Sequence, residues 1–164
     1  MQPLFIRHFL NNNFYLPKSW YNNIMIAENR KAKYEYEFIE RWTAGISLVG
    51  SEVKSVKAGL LDFTGSWCEL RNGECWLKDL YIKESATAFS HQDKRERRLL
   101  LTKKELKKLD KLMDKGLTIV PVSIQVNPKG LIKVSIALAK GKKLWDKRQV
   151  IKNRDADRAL LVSG

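Results

Sequence analysis

Val120-Pro121-Val122-Ser123-Ile124-Gln125-Val126-Asn127-Pro128-Lys129-Gly130-Leu131-Ile132-Lys133-Val134-Ser135-Ile136-Ala137-Leu138 is the stretch that decides how this chain folds. Val120, Val122, Ile124 and Val126 alternate with more polar residues, and Ile132, Val134, Ile136 and Leu138 do the same beyond Asn127-Pro128-Lys129-Gly130. Successive residues of a strand point to opposite faces, so this period of two predicts two strands, each apolar on one side, joined by a turn. Pro121 cannot donate a ladder hydrogen bond, which places it at an edge or a bulge.

Outward from that hairpin, the same period recurs. Tyr34, Tyr36 and Phe38 alternate with Glu35 and Glu37 and predict a strand over Lys33 to Ile39, with a second over Ala44 to Val49. Gly50 follows, and Ser51 can cap a short helix from Glu52 to Ala58 that Gly59 stops. Another hairpin has arms at Gly65 to Arg71 and Glu74 to Ile82, joined by Asn72-Gly73, a dipeptide that tolerates the positive φ of a type I′ turn. Its register pairs Cys68 with Leu77 and Cys75 with Leu70, so the cysteines are diagonal neighbours and read as small core residues of a reducing compartment. Trp42, Trp67 and Trp76 lie in strand patterns and are expected in the core. Lys83 to Lys94 has no periodicity and reads as a surface loop. Thr102-Lys103-Lys104-Glu105 forms a capping box for a helix ending at Gly116, with Leu106, Leu109, Leu112 and Met113 as its apolar stripe. The fold class this predicts is mainly β: a small antiparallel OB-like barrel with two or three short helices and a basic C-terminal tail.

A chain of 164 residues fits one compact domain. Residues 1–26, Asn-rich and without an acidic residue, are expected to be a disordered N-terminal extension, or to precede a true start at Met25, with organellar targeting as the alternative. Residues 27–139 form the predicted barrel. Residues 140–164 form a basic tail with too few apolar residues to hold a helix against the core. No apolar run is long enough to cross a bilayer as a helix.

Lys and Arg number 31 against 18 Asp and Glu, a formal net charge of +13 that calls for a polyanionic partner. The basic residues run through strands, helices and tail rather than along one amphipathic helix, which favours nucleic acid over a membrane surface. Catalysis finds no support: no nucleophile sits with its base, and Val49-Gly50-Ser51-Glu52-Val53-Lys54 lacks the glycine spacing of a phosphate loop. Glu52 and Lys54 read as capping or ion-pairing groups. His8 and His91 complete no metal-ligand spacing with the cysteines, so neither a metal nor a cofactor is expected. The residues expected to meet RNA are Asn29, Arg30 and Lys31 before the first strand, and Arg95, Arg97 and Arg98 ahead of Leu99-Leu100-Leu101. A solvated basic face is the alternative for the cations, and core packing for the leucines. Trp145, in the tail, is a candidate for stacking on a base.

The order of these motifs is more specific than any one of them. Ile26-Ala27-Glu28-Asn29-Arg30-Lys31-Ala32, Ala44-Gly45-Ile46, Gly50-Ser51-Glu52-Val53-Lys54-Ser55-Val56-Lys57-Ala58-Gly59, Arg97-Arg98-Leu99-Leu100-Leu101, and Ala139-Lys140-Gly141-Lys142-Lys143 through Asp146-Lys147-Arg148 closely resemble the SsrA-binding protein family, also called small protein B, from about Ile26 to Arg158. The resemblance implies a cytoplasmic, monomeric, non-enzymatic protein whose OB-like barrel binds the tRNA-like domain of transfer-messenger RNA. It implies delivery of that RNA with elongation factor Tu to stalled ribosomes, for trans-translation. Another OB-like RNA-binding translation factor or ribosomal protein is the alternative. By the same resemblance, Asn29, Arg30, Lys31 and Leu100 match the RNA-binding surface. Gly141, Lys142, Lys143, Asp146, Lys147 and Arg148 match the tail that engages the decoding centre of the small ribosomal subunit, with Trp145 at a position that is commonly aromatic or His. Trp42-Thr43-Ala44-Gly45 stands where many members read aromatic-Glu-Ala-Gly, so Thr43 replaces a carboxylate used against RNA. Gln92-Asp93 replaces the family's Asp-Pro, and Asp155 to Gly164 is shorter and less basic than usual.

Overall fold

The computed structural model describes residues 24–83, 92–113 and 116–143. Along the chain the elements are β1 (Ile24–Glu28), α1 (Arg30–Glu35), β2 (Tyr36–Ile46), α2 (Gly50–Lys57), β3 (Leu61–Asp62), β4 (Trp67–Arg71) and β5 (Glu74–Lys78). They continue with β6 (Tyr81–Ile82), β7 (Arg97–Leu100), α3 (Lys103–Leu112), β8 (Leu117–Val126) and β9 (Ile132–Gly141). The predicted class holds. β4, β5, β7, β2, β9 and β8 pair in that order, all antiparallel, and β8 returns to β4 through Cys68 opposite Ile119, so the sheet closes into a barrel. Closure leaves β1, which pairs with β8 alone, as the sheet's edge strand.

β9 has the predicted alternation, with Ile132, Val134, Ile136 and Leu138 in the inner layer. In β8, by contrast, a register slip between Pro121 and Ser123, the bulge to which a proline without an N–H belongs, leaves Val120 and Val122 in the outer layer and Ile124 in the inner one. The bulge also lets β8 change partner. Its first half meets β4, whereas its second half, Ser123 to Val126, pairs with β1. The boundary expected at residue 26 therefore falls inside β1, where Ile24 opposes Val126 and Met25 opposes Gln125. At the other end, Lys140 and Gly141 complete β9 opposite Glu37 and Tyr36, so the expected tail boundary after residue 139 also lies within a strand.

Two apolar layers result. Inside the barrel, Trp42, Ala44, Leu77, Leu99, Ile119, Ile124, Val134, Ile136 and Leu138 pack together with Cys68 and Cys75, both free and buried as expected. Outside it, Ala32 of α1 packs on Val120, Val122, Ala137 and Ala139, with Tyr36 and Phe38 at the margin. That second layer corrects the first predicted strand: Lys33, Tyr34 and Glu35 end a helix, and extension begins only at Tyr36. Asn29 supplies the reason, because its side chain accepts from the Ala32 amide at 3.0 Å and starts a helical turn where alternation alone predicts extension.

The first hairpin has the predicted register, Cys68 opposite Leu77 and Leu70 opposite Cys75, and Asn72 and Gly73 both have positive φ. Trp67 departs from expectation, being 37% exposed with the Lys78 ammonium over its ring, and Trp76 is half-buried beneath Arg71; Trp42 alone of the three is core. The helix α2 begins one residue before the expected cap Ser51, and its free amide at Val49 is met instead by the Glu52 carboxylate. At α3, Thr102 and Glu105 form the predicted capping box.

Candidate nucleic-acid interface

The predicted RNA-binding residues separate into two groups. Arg97 is fully buried: its guanidinium pairs with the equally buried Glu52 at 2.8 Å and donates to the carbonyls of Leu80, Asp93 and Arg95. Every guanidinium nitrogen donates inside the fold, so Arg97 presents no exposed donor to a partner. Arg95 donates to both oxygens of Glu52 and to the Ser47 and Glu96 carbonyls, which commits most of its guanidinium as well. Burial pushes the Glu52 carboxyl up, but the hydrogen bonds from Arg95 and the Val49 amide, with the charge of Arg97, hold it below the ordinary carboxylate range. Glu52 therefore caps and ion-pairs, as its sequence context predicts.

Asn29 is likewise buried and committed to the fold. Besides capping α1, its side-chain amide donates to the Pro121 carbonyl at 2.9 Å, and its backbone N–H donates to Val122 at 2.8 Å. The bulge in β8 exposes those two carbonyls and Asn29 takes both. It is a buried positioning residue that fixes α1 on the barrel and thereby sets where Arg30 and Lys31 project; both of these are exposed.

The other predicted residues do converge. Thr43 is exposed on β2 opposite Ser135 of β9. Gly45, two residues on and so on the same face, lies opposite Leu100 of β7 and Lys133 of β9. A Cβ at Gly45 would approach that of Leu100 to 3.2 Å, so the missing side chain is what lets Leu100 lie across the sheet, 50% exposed. Arg98, also exposed, follows on β7 and pairs with Glu74 at 2.8 Å. Arg41 sits two residues before Thr43 with its guanidinium over the Phe38 ring. Ser123, Gln125, Ser135 and Met25 join Thr43 and Arg41 around a shallow cavity of about 290 Å³.

Arg41, Ser123, Gln125, Lys133 and Ser135 were not among the sequence-predicted contacts. Alternation could have placed them outward, opposite Ile124, Val134 and Trp42, but nothing local says that β1, β8, β9 and β2 lie side by side. This face offers hydroxyls, an amide, an exposed leucine and cations with neutral ground between them, which suits a nucleic-acid backbone better than a reaction centre. Among the described residues no cluster of His, Cys, Asp and Glu could hold a metal ion, and no helix is long and apolar enough to cross a membrane. Burial, with Cys75 alongside, pushes the Cys68 thiol well above its ordinary value, which leaves it unreactive.

A family model described as SmpB protein matches residues 26–161. The chain belongs to the SmpB family. It is 44% identical over 141 residues to the SsrA-binding protein of Christiangramia forsetii, covering 84% of this chain and 90% of that one. With the SsrA-binding protein of a Wolbachia from Brugia malayi, identity is 48% over 138 residues, 82% of this chain and 93% of the relative. A solved SmpB-type chain, from work described as "tmRNA-SmpB: a journey to the center of the bacterial ribosome", superposes with a TM-score of 0.61 at 45% identity, covering 72% of this chain and 85% of that chain.

In this SmpB-family chain the start of the tail is tied to the barrel. Gly141 pairs with Tyr36, the Lys142 backbone N–H donates to the Glu35 carbonyl at 2.9 Å, and its ammonium donates to the Lys33 carbonyl at 3.0 Å. Lys142 thus fastens the end of β9 to the last turn of α1. Lys143 is exposed, and Trp145, Asp146, Lys147 and Arg148 lie outside the described residues.

Proposed function

We propose that this protein binds the tRNA-like domain of transfer-messenger RNA, the SsrA RNA, and delivers it to stalled ribosomes for trans-translation. The observation that carries the reading is the convergence of Thr43, Leu100 and Lys133 on one outward face of a chain that matches SmpB over residues 26–161. Cations on that face neutralise phosphates, Leu100 gives an unstacked base an apolar contact, and the closed barrel holds them in place. Arg30 and Lys31, both exposed on α1, add further positive charge to the barrel.

The remainder of the reading is that of the resemblance. Residues from Gly141 onward, with Trp145 as a stacking ring, engage the decoding centre of the small subunit. Elongation factor Tu accompanies the delivery, and the protein acts as a cytoplasmic monomer without catalytic activity. Recovery of the purified protein from total bacterial RNA tests the central claim. Transfer-messenger RNA should predominate in the bound fraction. A bound fraction made of ribosomal RNA fragments would overturn it in favour of another RNA-binding translation factor or a ribosomal protein.

A further inference from the structure

Four strands bring a row of polar residues into direct register: Thr43 opposite Ser135, Ser135 opposite Ser123, and Ser123 opposite Glu28; Thr43 is exposed and Ser135 half-buried, while Ser123 is buried. All four border the same shallow cavity. The Ser135 hydroxyl accepts from the Gln125 amide at 3.3 Å, while no hydrogen bond among the described residues occupies the hydroxyl of Thr43 or Ser123. Cations flank the row without entering it: Arg41 and Lys133 stand one register step to either side, on β2 and β9. Lys33, the other cation at the cavity, is taken by Glu28 in an ion pair.

Attraction of phosphates needs cations, and this row has none of its own. It ends on a carboxylate, which disfavours a phosphate there. What its hydroxyls offer is paired donor and acceptor capacity in a neutral setting, the complement of a group that itself both donates and accepts. In a nucleic-acid backbone that group is the ribose 2′-hydroxyl, the feature that separates RNA from DNA. Adjacent strands set Thr43 and Ser135 about 5 Å apart, across the sheet and not along one strand. A backbone crossing β2 and β9 would meet these two hydroxyls in turn, with Arg41 and Lys133 beside its phosphates.

We infer that Thr43 and Ser135 form a ribose-reading pair that accepts 2′-hydroxyls of the bound RNA. The inference rests on the RNA-binding reading and deepens it, assigning the choice of RNA over DNA to neutral side chains on the barrel face. Binding of a synthetic tRNA-like domain would be measured alongside otherwise identical RNAs, each with one 2′-deoxy substitution. With the unaltered protein, one or two substitutions should weaken binding about two- to tenfold, the range set by a single hydrogen bond of ordinary net worth. In Thr43→Val and Ser135→Ala, both of which leave strand packing intact, that sensitivity should vanish at those positions while the other RNAs keep their rank.

If the unaltered protein binds the unmodified RNA and no deoxy position matters, the ribose-reading pair is overturned and the RNA-binding reading stands. If the variants weaken every RNA alike and leave the deoxy pattern unchanged, the pair shapes the surface without reading sugars, and the inference is again overturned. Failure of the unmodified RNA to bind overturns both.

Discussion

At the scale of single residues, Glu52 and Arg97 show why a basic run cannot be taken residue by residue as an interface. Arg97 and Arg98 are neighbours on a strand, so they face opposite ways: one enters the barrel and meets Glu52, the other meets solvent and Glu74. Glu52→Gln leaves Arg97 a buried charge without its counter-ion and should destabilise the fold by about 3 to 5 kcal/mol, read from urea denaturation. Arg98→Ala should change stability by no more than about 0.5 kcal/mol in the same measurement. The pair also sets an acid limit. Because the Glu52 carboxyl titrates below its ordinary value when folded, its contribution is fully present above the unfolded carboxylate range and is lost as pH falls through the lower, folded value. Stability should therefore decline with acidification below about pH 4.5, and Glu52→Gln should flatten that decline. A Glu52→Gln protein as acid-sensitive as the parent would assign the limit to other carboxylates.

At the scale of elements, α1 and β9 depend on a few polar contacts at their ends. Asn29→Ala removes the cap of α1 and the donor to Pro121, so it should cost about 1 to 2 kcal/mol, the upper part of the range for a lost helix cap. Hydrogen exchange should quicken at α1 amides while the barrel stays protected. RNA binding should weaken with it, through displacement of Arg30 and Lys31 and not through a lost contact. The tail is best divided after Lys143, because truncation after Lys140 removes Gly141 and Lys142, which close β9 onto β2 and α1. A protein ending at Lys143 should keep its affinity for transfer-messenger RNA in a gel-shift titration and lose tagging of stalled chains in a reconstituted assay. Normal tagging by that truncated protein would make residues beyond Lys143 dispensable and remove the decoding-centre role.

For the whole molecule, an excess of 13 positive charges spread over barrel and tail predicts association governed by counterion release. Log affinity for transfer-messenger RNA should fall against log salt with a slope of magnitude above about 2, as expected for a site that neutralises several phosphates. A nearly flat line would leave the apolar and hydroxyl contacts as the source of affinity and deny the basic face its part. Closure of the barrel should make unfolding cooperative, since β8 holds β9, β4 and β1 together through one bulged strand. Urea and near-ultraviolet dichroism should report one transition for the described region.

What was legible from the sequence alone depended on local chemistry. The Asn72-Gly73 turn needs two residues with positive φ, the Thr102 capping box needs a hydroxyl and a carboxylate three residues apart, and the alternation of Val120 to Leu138 needs one buried face. Each can be read within a window of ten or twenty residues; the turn and the capping box stand as predicted, and the alternation holds through β9 but breaks in β8, where the bulge puts Val120 and Val122 outside the barrel and Ile124 inside. The motif order was legible in the same way, and it led to the SmpB family. Contacts between residues far apart in the chain were not. Asn29 reaches Pro121 across 92 positions and Glu52 reaches Arg97 across 45, so the burial of two expected RNA contacts had no local sign. Thr43 and Ser135 line up only because β2 and β9 pair in a given register. A slip of one residue would turn those hydroxyls into the barrel, and closure of the sheet around a single core is what forbids it.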